Sequence, residues 1–237
     1  MGIYRTALIC SFSLLWSVTA TAEQFWSSFS LSYLEGSDYE VGPTDRSVVT
    51  IEHASGHNWG KSFFFLDHMT DSTGAVSNYM ELSPDFSLAY LTGKKLSVGF
   101  IEDFYIATTL EGGDFNNYLL GLGLGLKIPG FNYFGVAFYQ ANNDLWDDDE
   151  QLTLTWGLPF NIGSAEFLYD GFLDYSTESD TSAAEMNFTS QLKWNLGKIM
   201  NFKSPLYVGI EYAYWTNKFG IEGVDESNPN FLLKWHY

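Results

Sequence analysis

The sequence predicts an all-β chain: a transmembrane antiparallel β-barrel of about 12 strands, monomeric, behind a cleavable signal peptide. Three observations predict it. Short runs alternate apolar and polar residues with a period of two, separated by turn residues. Aromatic residues make up 18% of the chain, which suits girdles at two membrane interfaces. The run 230–237 is amphipathic to its last residue. Phe231, Leu233, Trp235 and Tyr237 share one parity, while Asn230, Lys234 and His236 share the other with Leu232. Alternate side chains of a strand point to opposite faces, so one face of this strand is greasy and the other mostly wet.

The 237 residues suffice for one barrel domain. Mean hydropathy is −0.08, as expected where only half of each strand is apolar. The opening residues read as an export signal. Arg5 supplies a positive start, 7–18 an apolar run, and Ala20-Thr21-Ala22 a small-x-small cleavage site. The expected division is a signal peptide over 1–22 and a barrel over 23–237. Cys10 lies inside the apolar run after bulky Ile9, which argues against lipidation. Cleavage would remove this only cysteine and leave no disulfide. No later stretch approaches the ~18–20 apolar residues of a spanning helix, so export points to the outer membrane of a Gram-negative cell. The formal net charge is −18. Removing 1–22 takes away Arg5 and no acid. Such a chain repels phosphates, which excludes nucleic acid as a partner.

Taken in order, the alternating runs lie near 27–35, 46–55, 61–70, 79–91, 96–109, 117–127, 132–141, 151–160, 165–176, 185–196, 205–217 and 230–237. An even number closes with both termini on one side. The parity is plainest in 151–160, where Leu152, Leu154, Trp156, Leu158 and Phe160 oppose Gln151, Thr153 and Thr155. In 185–196, Met186, Phe188, Leu192, Trp194 and Leu196 oppose Glu185, Asn187, Thr189, Gln191, Lys193 and Asn195. In 117–127 leucines alternate with Gly121, Gly123 and Gly125. The run 96–109 breaks the pattern. Leu96, Val98 and Phe100 would set Glu102 in lipid, so a bulge near Glu102-Asp103 resets the register or Glu102 lies at an interface. Connections are expected to alternate: longer and polar after Gly36, Thr70, Leu110, Asn142, Thr177 and Lys218, short at 56–60, 93–95, 129–131 and 161–164. The segment 197–204 is a long exception on the turn side. The acidic run Asp147-Asp148-Asp149-Glu150 reads as a solvated loop tip.

Carried through, this parity faces Glu52, Asp67, Glu81, Asp85, Asp103, Glu166, Asp170, Asp174, Glu185 and Glu211 inward against Lys127, Lys193 and Lys234, with His236 near a rim. Aromatics Phe63, Phe65, Tyr105, Tyr133, Tyr139, Phe172, Tyr207 and Trp215 interleave, and Ser28, Ser30, Ser32 and the glycines leave space. A twelve-stranded barrel is wider than the eight-stranded kind that side chains fill, so a narrow conduit follows. Clustered carboxylates repel anions. Flat solutes stack on inward aromatics, at ~1–3 kcal/mol per base, and carboxylates accept hydrogen bonds from hydroxyls and amines. The combination suits a nucleoside or a similar small neutral solute. The candidate pore-lining residues are Glu52, Phe63, Phe65, Asp67, Tyr105, Asp170, Phe172, Glu211 and Trp215. No cofactor or metal is expected. The bland alternative is that aromatics fill the lumen and acids pair with lysines.

The hairpin Ile51-Glu52-His53-Ala54-Ser55-Gly56-His57-Asn58-Trp59-Gly60, continuing Ser62-Phe63-Phe64-Phe65-Leu66-Asp67, resembles the signature hairpin of the nucleoside-specific channel-forming outer-membrane proteins, Tsx-like and OmpK-like. Leu31-Ser32-Tyr33-Leu34-Glu35-Gly36 fits too. The final strand resembles the closing strand that barrel assembly machinery reads. The resemblance implies a monomeric twelve-stranded barrel passing nucleosides passively, some members serving as phage or colicin receptors. It carries over Phe63, Phe65 and Asp67. A structural or receptor barrel without nucleoside selectivity is the alternative. An enzyme is not expected. His53 and His57 lie at or near a turn, and His68 and its neighbour Asp67 point to opposite faces, which suits no catalytic pair.

Overall fold

The computed structural model describes residues 22–237. The expected signal segment therefore lies outside the described residues, apart from Ala22. Twelve strands run in chain order: β1 (Gln24–Gly36), β2 (Arg46–His57), β3 (Gly60–Asp71), β4 (Val76–Ser87), β5 (Ile101–Gly112), β6 (Asn116–Leu126), β7 (Tyr133–Asn142), β8 (Asp149–Ile162), β9 (Ala165–Ser176), β10 (Glu185–Asn195), β11 (Leu206–Thr216) and β12 (Glu226–His236). Every neighbour is antiparallel and β1 closes on β12. Strands of this length match the ~9–11 tilted residues that cross a bilayer. Closure leaves no unpaired edge in hydrocarbon.

The alternation resolves into a lipid face and a lumen face. In β12, Asn228, Asn230, Leu232 and Lys234 are buried while Phe231, Leu233 and Trp235 are exposed. Gln151, Thr153 and Thr155 face inward, with the Thr153 hydroxyl donating to Asp174 at 2.5 Å. The outward leucines of β6, Leu120 and Leu122, are 60% and 64% exposed. Tyr118, Tyr175, Tyr212 and Tyr214 form a girdle at one end, and Trp26, Trp235 and Tyr237 mark the other. We call the end that carries both chain termini the terminal end, and its opposite the far end.

The strand bounds differ from the sequence pattern where a single residue ends a ladder. The run 79–91 does not continue as a strand. Ser87 caps the short helix α1 (Leu88–Thr92), its hydroxyl accepting from the Tyr90 N–H, and Gly93 ends the helix at φ 66° in the left-handed region. Leu96, Val98 and Phe100 then lie outside the strands. The register shift falls between Ile101 and Asp103, so of the two expected resolutions the bulge is the one present. It turns Asp103 inward and leaves Glu102 exposed. β12 begins four positions earlier than the pattern suggests, through Pro229. The proline is accommodated because the β1 ladder has already stopped at Glu35 and Phe231, leaving this stretch paired on one side only. The regular alternation of connection lengths does not hold. The far-end connections 72–75 and 113–115 are short, and the terminal-end connection 88–100 is the longest of all.

Candidate functional site

The lumen carries two layers of chemistry. The layer toward the terminal end is built from ion pairs. Lys234 on β12 pairs with Glu52 on β2, and Ser30 on β1 donates to the same carboxylate at 3.2 Å. Lys193 on β10 donates to Asp170 on β9 at 2.6 Å and to Gln191 at 2.9 Å. The Gln191 amide donates to Glu211 on β11 at 2.7 Å. These interactions form two groups, one in which Lys234 holds Glu52 and one in which Lys193 and Gln191 hold Asp170 and Glu211, each around a buried ammonium. On another part of the wall Lys61 pairs with Asp85 at 3.4 Å, and its ammonium lies 4.9 Å from the centre of the Tyr105 ring.

The glycines of β6 do not leave open space, as the sequence suggested. A Cβ on Gly123 or Gly125 would meet Tyr105 at 3.4 or 3.3 Å. The bare backbone is where that ring lies. Tyr133 likewise covers Gly157, with no room for a side chain there.

The layer toward the far end is acidic and held by neutral donors. Thr50 donates to Asp67 at 2.5 Å, Tyr79 to Glu81 at 2.7 Å, and Asn117 to Glu111 at 2.8 Å. The Gly220 N–H donates to Glu185 at 2.7 Å. Among the described residues, none of these carboxylates has an ion-pair partner. Of the ten acids expected inward, Glu52, Asp85, Asp170 and Glu166 are ion-paired. The others accept from hydroxyls, amides and a backbone N–H, so the alternative in which lumen acids simply pair with lysines holds in one layer only.

Aromatic rings climb between the layers. Phe63 and Phe65 are 5.9 Å apart, Phe65 and Tyr79 5.7 Å, and Tyr79 and Phe115 6.1 Å between centres. Phe172 faces the same interior, paired in register with Thr155 and Thr189. Trp215 sits at the far mouth against Phe219, 5.4 Å away.

The connection 37–45 folds over that mouth. The Tyr39 hydroxyl donates to Asn230 at 3.1 Å, the Asp38 N–H to Asn228 at 3.3 Å, and the Glu40 N–H to Glu226 at 3.0 Å. Arg46 and Lys218 lie 4.7 and 5.6 Å from the Tyr39 ring centre. Lys218 also pairs with Glu226 at 2.5 Å and sits 5.0 Å from Trp215. Burial holds the Lys218 ammonium below its ordinary pKa, with Glu226 opposing that shift. Burial raises the Tyr39 hydroxyl, and nearby Glu211 adds to it.

All nine sequence-predicted lining residues fall on lumen-facing positions. They do not form one cluster: Asp170 and Glu211 are linked through Lys193 and Gln191, Glu52 is held by Lys234, Phe63 and Phe65 adjoin, and Asp67, Tyr105, Phe172 and Trp215 make no direct contact with these. Lys127 is corrected. β6 ends at Leu126, and Lys127 is exposed beyond it. The described cations that meet strand acids besides Lys193 and Lys234 are Lys61, Lys198 and, at the far mouth, Lys218. Lys61, Tyr79, Glu111 and Tyr39 were missed. Lys61 and Tyr79 sit on the inward parity of runs already drawn, at their first residues, and Glu111 becomes visible once 96–109 is extended to the end of β5; Tyr39 has no periodic signal. His57 stacks on Trp59, while His68 bonds Asn78 and His236 bonds Ser28.

Comparison with known proteins follows the same lines. Two sequences of the outer membrane protein OmpK from Vibrio parahaemolyticus match. One, from serotype O3:K6 (strain RIMD 2210633), is 32% identical over 123 residues, 46% of this chain and 46% of that protein. The other is 30% identical over 119 residues, 46% of this chain and 44% of its own. The match thus spans about half the length of these relatives. Among solved structures, the KdgM porin superposes with a TM-score of 0.52 at 10% identity, covering 88% of this chain and 98% of its own. The NanC porin gives 0.52 at 11%, covering 89% and 99%. These two likenesses concern the fold. The family match and the OmpK relatives place the barrel in the outer membrane of a Gram-negative cell. The family model described as "Nucleoside-specific channel-forming protein, Tsx" matches residues 22–231, and the chain belongs to that family.

Proposed function

We propose that the channel passes nucleosides or closely similar small neutral solutes by passive diffusion, with residues 23–237 as the mature barrel and the terminal end in the periplasm. The observation that carries the reading is the ring ladder Phe63–Phe65–Tyr79–Phe115 beside carboxylates held by neutral donors. A base stacks on the rings, while Asp67 and Glu81 accept from sugar hydroxyls or ring amines. A nucleotide is disfavoured, because its phosphate enters a layer of unpaired carboxylates. Glu52, Asp170 and Glu211 act below, where Lys193 and Lys234 balance them and narrow the path. Tyr105, Phe172 and Trp215 line the remaining wall. The polar, acidic connections 143–148, 177–184 and 217–225 at the far end support the orientation, since external loops are the solvated ones.

Planar-bilayer conductance with adenosine and uridine tests the function. Nucleosides are expected to block ion current in a concentration-dependent way, with sugars and amino acids weaker. Equal passage of all three without block refutes selectivity and leaves a receptor or structural barrel, open to phage or colicin. Protease cleavage within 177–184 on whole cells reads the orientation separately.

A further inference from the structure

The charges outside the strands are sorted by end. Apart from Glu23, every described Asp or Glu outside the strands lies in a far-end connection. The lysines sort the other way. Lys94, Lys95, Lys127, Lys198 and Lys203 all lie in terminal-end connections, and all are exposed. Lys218 alone lies at the far end, buried and ion-paired.

Two of the terminal-end connections, 88–100 and 196–205, are long for turns and greasy for solvated loops. The first exposes Leu91, Val98 and Phe100 at 55%, 61% and 64%; the second exposes Ile199, Met200 and Phe202 at 62%, 53% and 50%. Each sets three apolar side chains beside two lysines. The closed strand order separates the β4–β5 and β10–β11 hairpins by six strands in either direction. The two segments therefore lie on opposite sides of the barrel. One protein docking on one face would not meet both. A lipid leaflet that surrounds the barrel meets both at once.

We propose that 88–100 and 196–205 are interfacial anchors that bind anionic phospholipid of the leaflet at the terminal end. The apolar side chains enter the boundary between headgroup and acyl chain; Lys94, Lys95 and Lys203 meet the phosphates, and exposed Lys198 does so from its ion pair with Glu166. Lys127, in the connection that follows β6, adds to the first anchor's side. Among the described residues the opposite end carries no free cation outside the strands and repels the same headgroups, so lipid charge also sets the direction in which the barrel sits. The proposal concerns the barrel's lipid contacts and stands independently of the solute. It places the phospholipid leaflet at the end taken above as periplasmic.

Spin-label lipid selectivity tests it. The refolded protein is placed in phosphatidylcholine bilayers containing a trace of spin-labelled phosphatidylglycerol or of spin-labelled phosphatidylcholine, and the motionally restricted fraction is measured. A surface lysine near an anionic headgroup shifts association by about fivefold, so an annular average favouring phosphatidylglycerol by at least about twofold is expected. That preference should vanish at 0.5 M salt, with a screening length of about 4 Å, and fall to a small remainder due to Lys127 in the Lys94→Gln, Lys95→Gln, Lys198→Gln, Lys203→Gln protein. These lysines are exposed and outside the strands, so the variant retains its barrel, checked by circular dichroism. Equal association of both lipids with the wild-type protein overturns the proposal. So does full preference retained by the fourfold variant, since the anionic lipid would then be bound elsewhere.

Discussion

Lys234 and Glu52 form an ion pair that reaches across an entire strand. Lys234 is on β12 and Glu52 on β2, with β1 between them. Ser32 lies opposite Lys234 and Ser30 opposite Glu52 in the two ladders. Both serines are buried and small, so the long side chains pass over them and meet. The pair thus braces the seam where the cylinder closes.

Breaking this brace from one side strands a buried charge. Lys234→Met is expected to destabilise the barrel by about 3 kcal/mol, since removal of one partner leaves the other uncompensated. Replacing Glu52 by Leu in the same protein is expected to restore most of the loss. Urea unfolding of the two single variants and the double variant measures the coupling. Additive losses would show that the pair does not act as a unit.

Phe63→Ala and Phe65→Ala are expected to weaken nucleoside block several-fold, on the order of the ~1–3 kcal/mol of one stacked base. Unfolding midpoints should change little, because these rings face the lumen rather than packed hydrocarbon. Unchanged block in both variants removes the ring ladder from the solute path.

Asp67→Asn keeps the shape of the side chain and its contact with Thr50. It removes one acid from the layer that holds no ion pair. The reversal potential in a salt gradient is expected to move toward lower cation preference. An unshifted potential would mean that ions do not pass this carboxylate.

Tyr39→Ala removes the hydroxyl that bonds Asn230 and the ring that Arg46 and Lys218 face. The connection 37–45 then loses one of its three hydrogen bonds to β12, worth about 1 kcal/mol, along with two cation–ring contacts. Single-channel conductance is expected to rise and its noise to increase. Identical traces would show that this connection does not limit the path.

Period-two alternation made most of the architecture legible. Gln151, Thr153 and Thr155 are inward because a strand turns its side chains by half a revolution per residue, whatever surrounds it. The same rule placed Lys193, Glu211 and Trp215. It failed where a local contact outweighed the pattern: Ser87 caps a helix just where the alternation still suggested strand. At Asp103 the break in parity itself announced the bulge, and the register shift decided it. Tyr39 was invisible, since it enters the mouth through bonds to Asn230 rather than by any repeat.

Amino-acid order alone determined that this chain alternates, how many strands it makes, and which face of each is wet. Those properties follow from backbone geometry and solvation, which act over a few residues. Only the closed structure decided which cation meets which acid, that Tyr105 rather than empty space covers the β6 glycines, and that 37–45 crosses the mouth. Those depend on register and on contacts between residues far apart in sequence, as with Lys234 and Glu52.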